Sequence, residues 1–468
     1  MKKFSLLIGL LIVVFAATAY AQPIEFKMSG FMDFVGGVFR NIPSGNNPVP
    51  FAGLTGFEPD PGVTGTGSSD HNGSLANSRA RLKFQANAGK ELSATIFFEM
   101  DSATWGDANG TRNSMGYWNA DRAAVEVKHA FFDVAIPYFG IPTPMTMRFG
   151  IQPFAIRDAV FYYVDGAGIT LSTKADPVKI DLMWGKPSEE RVYHSDDSDV
   201  YSLVVSGNVE GFTLGAHGTW FSSNAYPIRS SGERADLYWV GAFADGKWAG
   251  FNFSADFIYD WGKVETHDNV TANGPDIDYS GFFAGLTASF PWEIWDFGGG
   301  VWWGSGADAD ESDERNDFVQ VPGSEPGFDG FAKYGSIFWG SSLFRGEYGY
   351  GSNGGGDTAM NNYIGGTWGA FAYAGVKLTP WYKIYGQAMY LGDTTSHGDT
   401  VGNTGKDENT IGFEFTLSNI FKVYNNLDFY VVGGLLVAGD AMEMIDADGD
   451  NSSIKNPYAL LTRLVYSF

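Results

Sequence analysis

The sequence predicts an all-β chain: a transmembrane antiparallel β-barrel of about 18 strands (roughly 16 to 20), with short turns at one rim and long loops at the other. Three observations predict it. Strand-like runs alternate apolar and polar residues over about 10 positions, which is the length and dyad period of a tilted membrane-crossing strand. Very short turns and long hydrophilic stretches take turns along the chain. The last eleven residues, Tyr458–Phe468, form one such run and finish on an aromatic ring.

In that run Phe468, Tyr466, Leu464, Thr462, Leu460 and Tyr458 share one face, and Arg463 lies on the other, because successive side chains of a strand point to opposite faces. On a soluble sheet this would be an exposed sticky edge. As the closing strand of an outer-membrane barrel it has lipid on one side, lumen on the other and an aromatic at each boundary. Phe468, Tyr466 and Leu464 are therefore the expected membrane-insertion signal. At the other end Lys2 and Lys3 precede an apolar stretch from Phe4 to Ala17, and Ala19-Tyr20-Ala21 is a small-x-small cleavage site. The expectation is a signal peptide over residues 1–21 and a barrel domain over 22–468.

The strands and their connections follow in order. Glu25–Phe39 reads as the first strand and the expected partner of the closing one. Ser78–Ala88 and Leu92–Asp101 are the clearest pair. Arg79, Arg81, Lys83, Gln85 and Asn87 alternate with Ala80, Leu82, Phe84, Ala86 and Ala88; Thr95, Phe97, Glu99 and Asp101 alternate with Ala94, Ile96, Phe98 and Met100. Gly89-Lys90-Glu91 joins the two. Further short turns are expected at Phe139–Thr143, Lys174–Val178, Glu210-Gly211, Ala244–Lys247, Pro291–Glu293, Thr379–Trp381 and Asn425-Asn426. The long stretches are Asn41–Asn77, Ser102–Asp121, Lys186–Asp199, Gly262–Asp278, Gly304–Gly330, Gly392–Glu408 and Gly439–Asn456, with the Gly, Pro, Asn and Asp content of loops. Ala332–Tyr350 is either a further hairpin or part of a loop. No linker divides the chain, so one domain is expected. A soluble sandwich or solenoid would alternate similarly strand by strand, but it accounts for neither the aromatic end nor the turn-and-loop asymmetry.

Composition narrows the function classes. Aromatics make up 16% of the residues and there are 62 glycines, a closed-sheet composition. The mean hydropathy is −0.13, and after the leader no apolar run approaches the ~20 residues of a membrane helix. The absence of cysteine removes a lipoprotein anchor, disulfides and thiolate metal sites. The formal charge of −24, or −26 once Lys2 and Lys3 leave with the signal peptide, speaks against nucleic acid as a partner, since phosphate contacts need Lys and Arg.

The residues expected to line a lumen follow from parity. If Ala80, Leu82 and Phe84 face lipid, Arg79, Arg81 and Lys83 form a basic ladder on the inner wall, and Glu99 and Asp101 face them from the next strand. In Met145–Gln152 the apolar set Met145, Met147, Phe149 and Ile151 faces out, so Arg148 faces in. A charge on the lipid face would cost about 2–4 kcal/mol near the midplane. Opposed charged walls are how pores select among ions; the plainer reading is that these charges solvate the wall and pair across strands. His217 shares a face with Thr213 and Thr219 and is expected to face the lumen. Trp302-Trp303, Trp292, Trp295, Trp381-Tyr382 and Tyr424 are expected in the aromatic girdles at headgroup level, with a sugar-stacking slide as the competing reading.

No cofactor or metal site is expected. Asp308, Asp310, Glu311, Asp313, Glu314 and Asp317 crowd one loop. Asp446, Asp448 and Asp450 begin another like a calcium loop, but Asn451 stands where glycine is required and Pro457 where the bidentate glutamate belongs. Solvated loops, or weak divalent-cation binding at the rim, are the two readings left open. The six histidines show no metal-ligand spacing, and Gly62–Gly67 lacks the Lys-Ser/Thr end of a phosphate loop. No nucleophile motif is present, so no enzyme is expected.

With the strands placed, SRARLKFQANAGKELSATIFFEMDSATWG, VEVKHAFFDVAIP, MTMRFGIQPFAIRDA and VDGAGITLS follow one another from Ser78 onward. This order resembles the homotrimeric outer-membrane porins of Desulfovibrio-type sulfate-reducing bacteria, as do EFKMSGFMDFVGG near the start and the closing YSF. The likeness covers about the first 190 residues and the last strand. It implies a homotrimer in outer-membrane lipid that passes small hydrophilic solutes and ions by passive diffusion, with no particular solute. The acidic loops lead to an expected weak cation preference, and Ser102–Asp121 to an expected inward-folding constriction loop. A substrate-specific channel for carbohydrate or anion is the alternative.

Overall fold

The computed structural model describes residues 23–44, 68–106, 123–136, 144–189, 197–226, 233–266, 276–324, 331–335, 337–338, 364–402, 404–445, 451–452 and 455–468. Eighteen strands form the barrel. In chain order they are β1 (Ile24–Ser44), β2 (Ser68–Ala88), β3 (Leu92–Thr104), β4 (Glu126–Ile136), β5 (Met145–Ile156), β6 (Tyr162–Ala175), β7 (Val178–Glu189), β8 (Asp197–Val209) and β9 (Phe212–Tyr226). They continue with β10 (Glu233–Trp248), β11 (Phe251–Thr266), β12 (Ile277–Trp292), β13 (Trp295–Gly304), β14 (Thr367–Thr379), β15 (Tyr382–Asp393), β16 (Thr410–Tyr424), β17 (Leu427–Ala438) and β18 (Tyr458–Ser467). Each strand pairs antiparallel with the next, and β18 pairs with β1. The sheet is therefore closed.

Closure runs from Phe31 opposite Ser467 to Arg40 opposite Tyr458. Beyond the ladder, Gly30 and Phe468 exchange backbone hydrogen bonds of 2.9 and 3.0 Å, so the aromatic end is stitched to β1. Inside the same seam the Arg463 guanidinium donates to Asp33 at 2.8 Å. The carboxylate of Asp33 is fully buried.

Side-chain period fixes the two faces. Along β16, Phe413, Phe415 and Leu417 are exposed while Glu414, Thr416 and Ser418 are buried, an outward apolar column against an inward polar one. Aromatic rings close this apolar band at both edges. On the outer side Tyr201, Trp220, Tyr238 and Trp261 stack one on the next across β8–β11, with centroids 5.3, 6.2 and 5.5 Å apart. At the short-turn side Trp248, Trp292, Trp295, Trp381 and Tyr424 are exposed beside their turns. Rings at these heights keep their bodies in the apolar band and their polar tips in water.

Two expectations need correction. Ala244–Lys247 is not a turn but part of β10, which stays in register with β11 down to Trp248 opposite Phe251. The reversal falls on Ala249-Gly250, both at positive φ (50° and 87°), the dihedral signature of a type I′ hairpin turn. Trp302 is not in a girdle: it is 3% exposed and donates to Thr367 inside the barrel, whereas its neighbour Trp303 faces out. The expected turn Phe139–Thr143 lies outside the described residues, as do residues 1–22. In Ala332–Tyr350 the described residues are 332–335 and 337–338, and they carry no strand.

Deleting Phe468 removes the two bonds to Gly30 and the last ring of the seam. The expected outcome is a several-fold loss of heat-modifiable folded barrel on electrophoresis, with unchanged unit conductance in the fraction that folds. Normal folding yield with altered conductance would contradict it.

Candidate functional site

The interior is not an open tube. The β4–β5 ladder stops at Ala130 opposite Ile151, yet β5 continues to Ile156 and turns through Arg157–Phe161 into β6. Arg157 then meets Asp245 on β10 and Asp256 on β11, five and six strands away. Neighbouring strands are about 4.8 Å apart, so these partners are reached only across the barrel. The tip of the β5–β6 hairpin is a strap through the lumen.

Its far end is held strongly. Arg157 donates to both Asp245 oxygens at 2.6 and 3.1 Å, to Asp256 and to Ser254, and lies over the Phe243 ring at 4.7 Å. Burial alone would lower the Arg157 pKa; the hydrogen bonds to Asp256 and Asp245 more than reverse this and hold it above its ordinary value. Phe161, fully buried, stacks on His217 of β9 at 4.8 Å.

The near end faces the wall of β2–β4. Asp165 on β6 accepts from Lys128 at 2.6 Å and meets His129 Nε2 at 2.7 Å. Lys128 also reaches Glu99 at 2.9 Å. Arg79 and Arg81 converge on the same Glu99 carboxylate, Arg79 at 3.3 Å, and that carboxylate is 2% exposed. Among the described residues, Arg79, Arg81 and Lys128 thus meet the carboxylates of Glu99 and Asp165.

The structure brings Arg79, Arg81 and Glu99 into one cluster. It sets Lys83 opposite Phe97 on the same face, and pairs Arg148 with Asp133 at 2.7 and 3.1 Å over the Phe131 ring. The side chain of Asp101 lies outside the described residues. Sequence reading missed Lys128, His129, Arg157, Asp165, Asp245 and Asp256. For Lys128 a signal existed: outward Val125 and Val127 are followed by outward Ala130 and Phe132, so the period slips by one residue. The slip is a β-bulge, with Phe98 opposite Val127 but Phe97 opposite His129; bulges re-aim side chains in this way.

A second segment enters from the β13–β14 connection. Val319 accepts from Trp239 Nε1 at 2.8 Å, and Gln320 donates to the Val160 carbonyl of the strap at 3.1 Å. Farther along, the backbone N–H groups of Ile337 and Phe338 donate to the two oxygens of Glu414 at 2.9 and 2.7 Å. Phe331 sits edge-on to Phe283, Trp302 and Phe371. This plug packs on the β10–β16 side, opposite the charged wall of β2–β4. The expected constriction Ser102–Asp121 falls mostly outside the described residues; among those described, the strap and the plug cross the interior.

At the outer rim, Asp308, Asp310 and His397 bring ligand-type atoms within 4.8 Å of one another. The His397–Asp308 hydrogen bond of 2.8 Å raises the His397 pKa and lowers that of Asp308. It ties the β13–β14 connection to the β15–β16 one.

A family profile described as Gram-negative porin matches residues 9–324. Among solved structures, Pseudomonas aeruginosa OpdQ is 8% identical and superposes with a TM-score of 0.50 over 94% of this chain and 98% of its own. Pseudomonas aeruginosa OccK8 (OprE) gives the same identity, coverage and score. At such identity the likeness concerns the fold alone. No curated protein matches in sequence.

Replacing Glu99 by Gln leaves Arg79, Arg81 and Lys128 crowded around a neutral group. The expected loss is about 3 kcal/mol, the usual effect of removing one partner from a buried ion cluster. The midpoint of urea unfolding in micelles measures it, and an unchanged midpoint would show that the cations are solvated instead.

Proposed function

This chain belongs to the Gram-negative porin family and forms a channel integral to the outer membrane; from that premise we propose that small hydrophilic solutes and ions cross it by passive diffusion, with a weak preference for cations. It is not an enzyme. The observation that carries the reading is the closed barrel whose inward positions are polar and charged while its outward band is apolar. Water and hydrated solutes find partners inside, and lipid finds them outside. The chain contributes a sieve and a field rather than a chemical step.

The sign of the preference rests on where charge is left over. Several inner-wall ions are matched by a partner of opposite charge: Asp33 with Arg463, Asp133 with Arg148, Asp181 with Lys179, and Asp245 and Asp256 with Arg157. The surplus that makes the chain −24 includes the outer loops, where Asp308, Asp310, Glu311 and Asp313 cluster. An acidic mouth concentrates cations within a Debye length of about 8–10 Å. The proposed lumen residues remain Arg79, Arg81, Lys83, Glu99, Asp101 and Arg148.

One observation favours the second reading, a substrate-specific channel for an anion. Among the described residues strap and plug both cross the interior, and the cluster at the β2–β4 wall carries three cations against two carboxylates. A solute with a carboxylate could exchange with Glu99 or Asp165 on those cations. Residues 1–21 are proposed to be removed as a signal peptide, with Phe468, Tyr466 and Leu464 as the insertion signal. The finer likeness of Ser78–Gly106 and the strands after it to the Desulfovibrio-type porins supports a homotrimer in outer-membrane lipid.

Reversal potentials across a planar bilayer in a salt gradient test the selectivity: a modest cation-selective potential is expected, and an anion-selective one would sink the first reading. Current block by a small carboxylate at low concentration, absent with a neutral sugar, would establish the second. Native mass spectrometry of protein extracted from the outer membrane should give three copies, each lacking residues 1–21; a monomer or an uncut chain would contradict the assembly proposed here.

A further inference from the structure

His217 has an unusual setting for a titratable group. It lies on the inner face of β9, is 5% exposed, and among the described residues neither ring nitrogen has a hydrogen-bond partner. One ring face is covered by Phe161 of the strap at 4.8 Å and an interplanar angle of 24°. On β10 it lies against Gly241, where a Cβ would stand 2.2 Å from Nε2. Only glycine leaves room for the imidazole there. The ring is thus a flat spacer between the barrel wall and the strap tip, held among the described residues by packing alone.

The groups around it can be named element by element. β8 presents Ser202, Val204 and Ser206, opposite Thr219, His217 and Gly215 of β9. β10 presents Trp239, Gly241 and Phe243 opposite the same three. None of these carries a charge. The strap brings Arg157, which is within electrostatic reach of the ring and is itself matched by Asp245 and Asp256. Among the described residues, an imidazolium in this slot would have two N–H donors without acceptors and a positive neighbour. A buried donor left unpaired costs about 1–3 kcal/mol, and more when charged.

We propose that His217 is an acid sensor for the strap: when its ring takes up a proton, Phe161 and the Arg157–Phe161 tip leave the β9–β10 wall and the imidazolium gains water. The near end of the strap stays held, because His129 and Lys128 both meet the Asp165 carboxylate, at 2.7 and 2.6 Å. The tip is therefore freed while the base stays clamped, and the strap swings about a pivot at β4 with its free end at β9.

The chain contains no cysteine, so Asp158→Cys, at an exposed position of the strap, accepts a single nitroxide in the full-length barrel. Its mobility is read by electron paramagnetic resonance at about pH 7.5 and about pH 3, which lie on either side of the range in which a buried imidazole titrates. The expected result is an immobilised label that becomes mobile on acidification and is immobilised again on return. The same label should stay immobilised at both pH values in His217→Leu, and in His217→Gln, which keeps a polar group that does not titrate. His129→Gln should leave the response of the tip in place. A pH-independent label in the parent barrel overturns the proposal, and so does a response that survives in either His217 variant. The label reports motion and not current, so its outcome is independent of whether the channel prefers cations or anions.

Discussion

Everything in this barrel depends on one constraint: in hydrocarbon, a backbone N–H or C=O without a partner costs several kcal/mol. An open sheet edge would carry a row of them, so the pairing of β18 with β1 is what makes the membrane location possible. Once the sheet is closed, the two-residue period becomes a partition. Phe413, Phe415 and Leu417 go to lipid, and Glu414, Thr416 and Ser418 go inside. A one-residue slip would send every member of both sets to the wrong solvent. The bulge at Lys128 shows how such a slip can be tolerated locally: the register of β3 and β4 changes between Phe97 and Phe98, and the extra residue lands in the ion cluster.

Closure also creates an interior too wide for one layer of side chains to fill. The chain fills it unevenly. On the β10–β16 side the occupants are apolar and aromatic: Phe331 against Phe283, Trp302 and Phe371, with Glu414 tying down two backbone donors. On the β2–β4 side the wall is ionic. The strap runs between them and is held by both kinds of contact, ion pairs at Asp165 and Arg157 and ring stacking at Phe161. Ion pairs of this burial contribute little net stability, because desolvation offsets most of their attraction. Their effect is positional: an arginine matched by two carboxylates on two different strands has few alternative seats.

The parts of this architecture legible in the sequence are the local and periodic ones. Ser78–Ala88 and Leu92–Asp101 alternate strictly, so their faces, their turn and the inward placement of Arg79, Arg81 and Glu99 could be read directly. Errors arose where local chemistry and ladder register compete. Ala244–Lys247 contains Asp-Gly, a good turn dipeptide, but pairing with β9 as far as Gly246 and with β11 as far as Trp248 carries the strand through it. Trp302 and Trp303 were grouped as one girdle motif, although adjacent strand residues must face opposite ways. The strap left almost no signal. Arg157–Phe161 is short, so it has no loop composition, and its partners Asp245 and Asp256 lie about ninety residues farther along. Contacts made across a lumen follow from closure in three dimensions, and no period along the chain encodes them.

The net charge illustrates the same separation between what is summed and what is placed. A value of −24 describes the whole chain, but charges act over a Debye length of about 8–10 Å in salt, less than the height of the apolar band. On the reading proposed above, a permeating ion would meet the loops and the wall as two successive fields. The acidic mouth at Asp308–Asp313 would draw cations toward the barrel, and the cluster of Arg79, Arg81 and Lys128 would resist them deeper in. Charges act most strongly where the dielectric is low, so on that reading selectivity is decided beside the wall that the strap faces and not by the sum over the chain.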